Sequence, residues 1–337
     1  MKCMATWHFI EQQMEEGNPV MLLYVLDSQG TTPGKQGYCM AVAYEGSASP
    51  LGMEGTIGGG MIEHDCVEEA RKKLQSGDKN PGIKKFTHRS GRITNGKSKP
   101  SGELLIFLYP LQEKDRDVIR TIIQSLQSNQ NGTLILTASG ISFRESAPAK
   151  DFEFVMNSDT QWKYMEKTGY KSRLYIIGGG HCSLALSRLM TGMDFYIRIY
   201  DDRSQLKSML INDAAHEKHV VSGYEEISSL IESGDDHYVV IMTMSSEKDE
   251  VALRALDGKK FRYVGMLGSR SKVQSLMKEY KREGLNYEWL SQVHAPIGLS
   301  IKSHSPEEIA VSIAAEIIQV KNAFQATRIK ANAKVHV

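Results

Sequence analysis

The most constraining stretch of this 337-residue chain is Tyr175-Ile176-Ile177-Gly178-Gly179-Gly180-His181-Cys182-Ser183. An apolar run enters three consecutive glycines, a helix-forming run leaves them, and Phe195 to Tyr200 follows as a second apolar run. Strand, turn, helix and strand in that order make a βαβ unit, whose strands lie parallel in one sheet. Gly178 permits the tight turn, Gly180 lets the backbone approach a pyrophosphate, and the helix N-terminus that follows favours negative charge. Ser183 stands where the third glycine of such a fingerprint falls, a small-for-small exchange. Asp201 lies twenty-one residues beyond Gly180, where an acidic side chain accepts the 2′-hydroxyl of an adenosine ribose. Asp202 beside it would repel a 2′-phosphate unless Arg203 compensated, so NAD or another adenine nucleotide is expected in preference to NADP. His181 is either a ligand contact or a packed neutral histidine. Cys182 is either a thiol activated by the helix terminus or a small buried hydrophobe.

The same alternation continues downstream. Tyr238 to Met242 and Tyr263 to Leu267 read as strands, with helices at about 247–256 and 270–283, which predicts a mostly parallel sheet covered on both faces. Ser305-Pro306-Glu307-Glu308 is a capping box with proline at the first helical position, opening a last helix that runs to about Ala323. A fresh α/β register begins near Gly169, so the chain divides into domains 1–168 and 169–337.

The first domain predicts a helix over Trp7 to Glu16, strands at Val20 to Leu26, Tyr38 to Tyr44, Leu104 to Tyr109 and Thr133 to Thr137, and helices from Ile62 to about Gln75 and Asp115 to Ser128. Glu45 to Gly55 reads as a loop, and 141–170 is weakly patterned. Gly58-Gly59-Gly60 opens the second helix, and successive N–H groups without Cβ atoms can converge there on an anion. Glu63, His64 and Asp65 sit in its first turn, as a solvated cap or as an acid–base site. Lys79 to Lys99 contains Lys84, Lys85, Arg89, Arg92 and Lys97 with no acidic residue. It reads as a solvated loop or as an arm for an anionic ligand or an acidic protein.

Lys and Arg total 41 against 40 Asp and Glu, so the protein's overall field supplies no phosphate-neutralising term and a nucleic-acid partner is not expected. The longest apolar runs are strand-sized, far short of the ~20 residues needed to span a bilayer. Met1 to Glu16 shows no apolar core of a leader segment, which predicts a cytoplasmic protein. Cys3, Cys39, Cys66 and Cys182 lack metal-ligand spacing and are expected to be reduced thiols, with no metal site.

Taken together, the two glycine turns in this order resemble the XdhC/CoxI family, the accessory proteins of xanthine dehydrogenase and related molybdenum hydroxylases. The N-terminal hallmark is Gly55-Thr56-Ile57-Gly58-Gly59-Gly60-x-x-Glu63, preceded by Pro33, Gly37 and Met40. The C-terminal hallmarks are Gly178-x-Gly180-His181, Asp201-Asp202-Arg203, Tyr263 to Arg270, His294-Ala295-Pro296-Ile297-Gly298-Leu299 and Ser305 to Ala310. The resemblance implies an N-terminal α/β domain of this family followed by a Rossmann-like domain. It implies a chaperone that binds molybdenum cofactor, protects it while a cysteine desulfurase supplies the sulfido ligand, and delivers it to a xanthine dehydrogenase-type hydroxylase, and it implies a homodimer. Where family members often carry cysteines this chain has Met61 and Pro100, and Met244 and Ser246 replace the histidines of a Thr-His-x-His pattern.

The cofactor-binding set expected on these grounds is Gly58, Gly59, Gly60 and Glu63 in the first domain. In the second it is Gly178, Gly180, His181 and Asp201, with Gly268, Ser269, Arg270 and His294 at the carboxyl ends of the later strands. Two other classes fit the turn at Gly178: an NAD(P)-dependent oxidoreductase, and a nucleotide-binding module without the family's task. No acid–base pair for the former is visible near the turn.

Overall fold

The computed structural model describes residues 3–44, 46, 52–94, 97–268, 270–283 and 287–333. The chain divides into two units, Met1–Gly169 and Tyr170–Val337, each with its own cores.

In the first unit α1 (Met4–Glu15) leads into β1 (Val20–Gly30), β2 (Cys39–Ala43), β3 (Gly52–Gly55), α2 (Gly60–Ser76), β4 (Gly82–Thr94) and β5 (Lys97–Pro110). These five strands pair antiparallel in the order β3-β2-β1-β5-β4. After α3 (Arg116–Gln127), β6 (Thr133–Thr137), β7 (Gly140–Arg144), β8 (Phe152–Ser158) and β9 (Gln161–Lys167) form a second antiparallel sheet, β7-β6-β9-β8. Side chains alternate across a strand, so Val20, Leu22, Tyr24 and Leu26 enter one core with α1, α3 and the second sheet. Met21, Leu23 and Val25 enter another with α2. Burial on both faces is why β1 reads as an unbroken apolar run. At about 1.5–3 kcal/mol for each fully buried large side chain, it is the main source of cohesion in this unit.

Four expectations change here. The stretch from Lys79 to Lys99 is largely β4 and the start of β5 rather than a loop. Lys84 is ion-paired with Glu69, and Lys85 with Glu103 at 2.9 Å, so these two lysines are matched locally. β4 is an edge strand, where lysines block pairing with another chain. The side chains of residues 88–100, and with them Arg89, Arg92, Lys97, Lys99 and Pro100, lie outside those described. Gly52–Gly55 is a short strand, and 141–170 holds most of the second sheet. Cys3 and Cys39 are joined by a disulfide, leaving Cys66 and Cys182 as free thiols.

The second unit runs β10 (Ser172–Ile177), α4 (His181–Thr191), β11 (Phe195–Asp201), α5 (Lys207–Leu210), β12 (Glu217–Val220), α6 (Ile227–Leu230), β13 (Gly234–Ile241), α7 (Ser246–Ala255), β14 (Phe261–Met266), α8 (Arg270–Arg282), α9 (Tyr287–Leu290), β15 (Val293–His294) and α10 (Pro306–Ala333). All six strands are parallel, in the order β12-β11-β10-β13-β14-β15. Numbered within the unit this is 3-2-1-4-5-6, the dinucleotide-fold order with its switch point between β10 and β13. Leu174 and Ile176 face a core with α4 and α10, while Tyr175 and Ile177 face one with α7 and α8. The capping box forms as expected: Ser305 Oγ accepts from Glu308 N at 3.2 Å, and Glu308 Oε2 accepts from Ser305 N at 3.2 Å and His304 N at 2.7 Å. The helix runs to Ala333 rather than Ala323, because no glycine or proline follows to stop it.

Candidate functional site

In the first unit the segment between β3 and α2 crosses the segment between β1 and β2 at backbone contact. A Cβ on Gly58 (φ +124°) would stand 2.3 Å from Gly34 N, and one on Gly34 would stand 2.1 Å from Ile57 O. Only glycines permit this crossing, and it fixes where the turn stands. The N–H groups of Ile57, Gly58 and Gly59 are already used, that of Gly58 by the Thr56 hydroxyl at 3.0 Å. Glu63 Oε2 accepts from Ile57 N at 2.9 Å, Gly59 N at 3.0 Å and the Thr56 hydroxyl at 2.6 Å. Partial burial pushes the Glu63 carboxyl up, but the bonds from Thr56, Ile57, Gly59 and Gly58 outweigh it and hold the group below its usual range. Gly59 and Gly60 face open space, and Met61 beside them is 80% exposed.

Sequence placed Glu63 correctly in the first turn of α2 but not its role in the loop before it. Replacing it with Ala strands three donors, at a cost of about 1–2 kcal/mol given its exposure. Amide exchange at Ile57 and Gly59 is expected to accelerate about tenfold. Because the folded carboxyl titrates low, this support is present above the unfolded value of about 4.3 and is lost as pH falls through the folded one.

In the second unit Gly178, Gly180, His181 and Asp201 come together at the β10–α4 turn. Gly178 (φ +107°) passes β13 so closely that a Cβ would lie 2.3 Å from Met242 O. Around Gly180 no atom beyond its immediate chain neighbours lies within 4 Å of where a Cβ would stand, which leaves room for a ligand beside its backbone. Asp201 is fully buried. Its Oδ2 accepts from Gly179 N at 2.6 Å and Arg203 Nη2 at 2.8 Å, and its Oδ1 accepts from Arg203 N and Nε at 2.9 and 2.8 Å. Burial raises this carboxyl, but the Arg203 fork and the two backbone donors hold it below its ordinary value. Asp201 thus braces the glycine turn, with both oxygens engaged.

His181 is exposed and lines a groove of about 460 Å³ between α4 and α10, with Leu184, Arg188, Glu307 and Val311. Burial raises the Cys182 thiol despite the helix terminus, so Cys182 is the packed hydrophobe of the two readings. Ser183 is buried with its hydroxyl unpartnered among the described residues.

Gly268 and His294 lie along the same carboxyl edge but not at the turn, since β14 and β15 are two and three strands from β10. Gly268 lines a pocket of about 360 Å³ with Ser246, Glu250, Leu267 and Ser275. His294 is held from behind: its Nδ1 lies 3.1 Å from Glu316 Oε1, and Glu316 Oε2 accepts from the Tyr263 hydroxyl at 2.5 Å and Gly298 N at 2.8 Å. Burial raises Glu316, and the bonds from His294, Tyr263 and Gly298 bring it below its usual range. Ser269 lies outside the described residues, and Arg270 is described as backbone only, at the start of α8. Thr56, Gly34, Arg203, Lys248, which forms an ion pair with Asp202, and Glu316 are participants that sequence reasoning did not place at a site. Arg203, adjacent to the acidic pair, and Thr56, inside the N-terminal hallmark, carried local signals.

A parallel sheet in this order, with a glycine turn at its switch point, defines a Rossmann-type unit. Residues 174–317 match the XdhC Rossmann domain, and residues 13–86 match the XdhC and CoxI family. The chain belongs to the XdhC and CoxI family. It is 26% identical over 315 residues to the uncharacterized protein YqeB of Escherichia coli (strain K12), a match covering 92% of this chain and 45% of that protein. It is 24% identical over 220 residues to a probable xanthine dehydrogenase subunit of Bacillus subtilis (strain 168), covering 62% of this chain and 64% of the relative. The chain therefore spans about half to under two thirds of these curated relatives. The crystal structure of a xanthine dehydrogenase from Bacillus halodurans shares its fold, with a TM-score of 0.69 and 22% identity over 96% of both chains. No helix among the described residues is long and apolar enough to cross a membrane.

Proposed function

We propose that this chain is an accessory protein of a xanthine dehydrogenase-type molybdenum hydroxylase, binding molybdenum cofactor as cargo and supporting its sulfuration and insertion. The observation that carries the reading is the presence of both family regions, in order, on one chain. The relative with xanthine dehydrogenase in its name supports the choice of partner. The cargo carries a phosphate, and the open backbone at Gly180 ahead of α4 suits one. The sulfur is assigned to a partner desulfurase, on the chemistry of this chain's thiols. Burial pushes Cys66 up to about 12 and raises Cys182, so neither presents a thiolate at neutral pH, and Cys3 and Cys39 are bonded to each other. The assembly in this reading is a cytoplasmic homodimer.

The test is to purify the protein from a host with an intact cofactor pathway and analyse what it releases by pterin fluorescence and mass spectrometry. Near-stoichiometric pterin is expected. A protein that carries none and ignores added cofactor overturns the reading. The strand order favours one other reading, a nucleotide-binding module or NAD(P)-dependent oxidoreductase, and release of a nucleotide without pterin would select it.

A further inference from the structure

In a sheet of order 3-2-1-4-5-6 a dinucleotide lays its pyrophosphate on the turn after the first strand and its adenosine ribose at the end of the second. Here those places are the turn at Gly178–Gly180 and the end of β11. The first is open at Gly180. The second is closed by the chain's own charges.

Asp202, the residue after β11, forms an ion pair with Lys248 of α7. β11 and β13 flank β10 in the sheet, and α7 follows β13. Strands two apart are separated by roughly 10 Å. A side chain from the start of α7 that reaches the residue after β11 therefore passes over the carboxyl end of β10, where the glycine turn begins. The Tyr224 hydroxyl lies 3.5 Å from the other oxygen of Asp202, and Met244 Sδ lies 3.9 Å from Lys248 Nζ. Asp202 keeps only 17% of its side-chain surface exposed.

A ribose needs a free acidic oxygen to receive its hydroxyl. Asp201 has none, because Gly179 and Arg203 take both, and Asp202 is held by Lys248. We propose that the Lys248–Asp202 pair bars the ribose end of the crevice, so that the Rossmann unit takes a compact phosphate-bearing ligand and rejects adenine nucleotides. The bar is a property of the unit and stands apart from the identity of the cargo.

Titration calorimetry with NAD and with AMP tests it on the full chain. Lys248→Met removes the cation and frees Asp202 Oδ2, and this variant is expected to bind both probes at least about tenfold more tightly than the native protein. Adding Asp202→Ala to that variant is expected to abolish the gain, because the acceptor is then gone. A gain of binding does not arise from a misfolded variant. Native protein that binds NAD as tightly as Lys248→Met overturns the proposal, and so does a Lys248→Met variant that binds neither probe. Pterin content plays no part in the readout, so failure here is distinct from failure of the accessory reading.

Discussion

Asp201→Ala is expected to cost the Rossmann unit about 3 kcal/mol, seen as a fall in the urea midpoint of the full chain's second-unit signal. The size follows from what is stranded rather than from the ion pair. Arg203 is 35% exposed, and a pair at the surface contributes only about 0–1 kcal/mol. Asp201, however, is fully buried and also accepts from Gly179 N and Arg203 N. Buried donors left without acceptors cost about 1–3 kcal/mol each. Asp201→Asn keeps one acceptor and is expected to lose less. The carboxyl titrates below its unfolded value of about 3.9, so the native contribution is present above that pH and is lost as pH falls through the folded value. An Ala variant that melts like the native protein would show that the glycine turn needs no brace.

Gly34→Ala and Gly58→Ala are each expected to cost about 3 kcal/mol, with the double variant well short of the sum. Either Cβ forces apart the same two backbone segments, at 2.1 Å from Ile57 O or 2.3 Å from Gly34 N. Once they have parted for one methyl group, the second meets less resistance. Gly58 adds the strain of a side chain at φ +124°. A coupling of about 1–3 kcal/mol in a double-mutant cycle by urea denaturation checks this. Additive losses would mean that the segments yield independently.

Much of the architecture was legible where one physical signal acts over a short span. The run Val20–Leu26, the strand–glycine–helix passage at Gly178 and the capping box at Ser305 each lie within a few residues, and each forms where expected. Beyond β6, the second sheet of the first unit was not legible, although Phe152, Phe154 and Met156, and Trp162 and Tyr164, alternate inward. Glu166 follows them onto the inner face, buried against the Tyr24 and Tyr164 hydroxyls at 2.5 and 2.7 Å, and a charged inward residue hides a period of two. The site divides the same way. The glycines announced their turns, while the partners that set each carboxylate's role are set by tertiary packing: Lys248 is 46 residues from Asp202, and Glu316 is 22 from His294. Glu63 shows the same limit at short range, since helix position alone does not tell a dipole-stabilising carboxylate from one that folds back to fasten the preceding loop.

The placement of β5 bears on how this chain can be cut. The family match in the first unit stops at residue 86, yet the strand that sits between β1 and β4 begins at Lys97. A fragment trimmed to the matched region would keep only the first five residues of β4, with nothing to pair with, and leave β1 with one side of its hydrogen-bonding ladder bare. It would also lose α3 and the aromatic side chains of Phe107, Trp162 and Tyr164 that complete the core around Tyr24. Such a piece is an adhesive sheet edge rather than a domain. The first unit as a whole runs through β9, about eighty residues past the point where that family match ends.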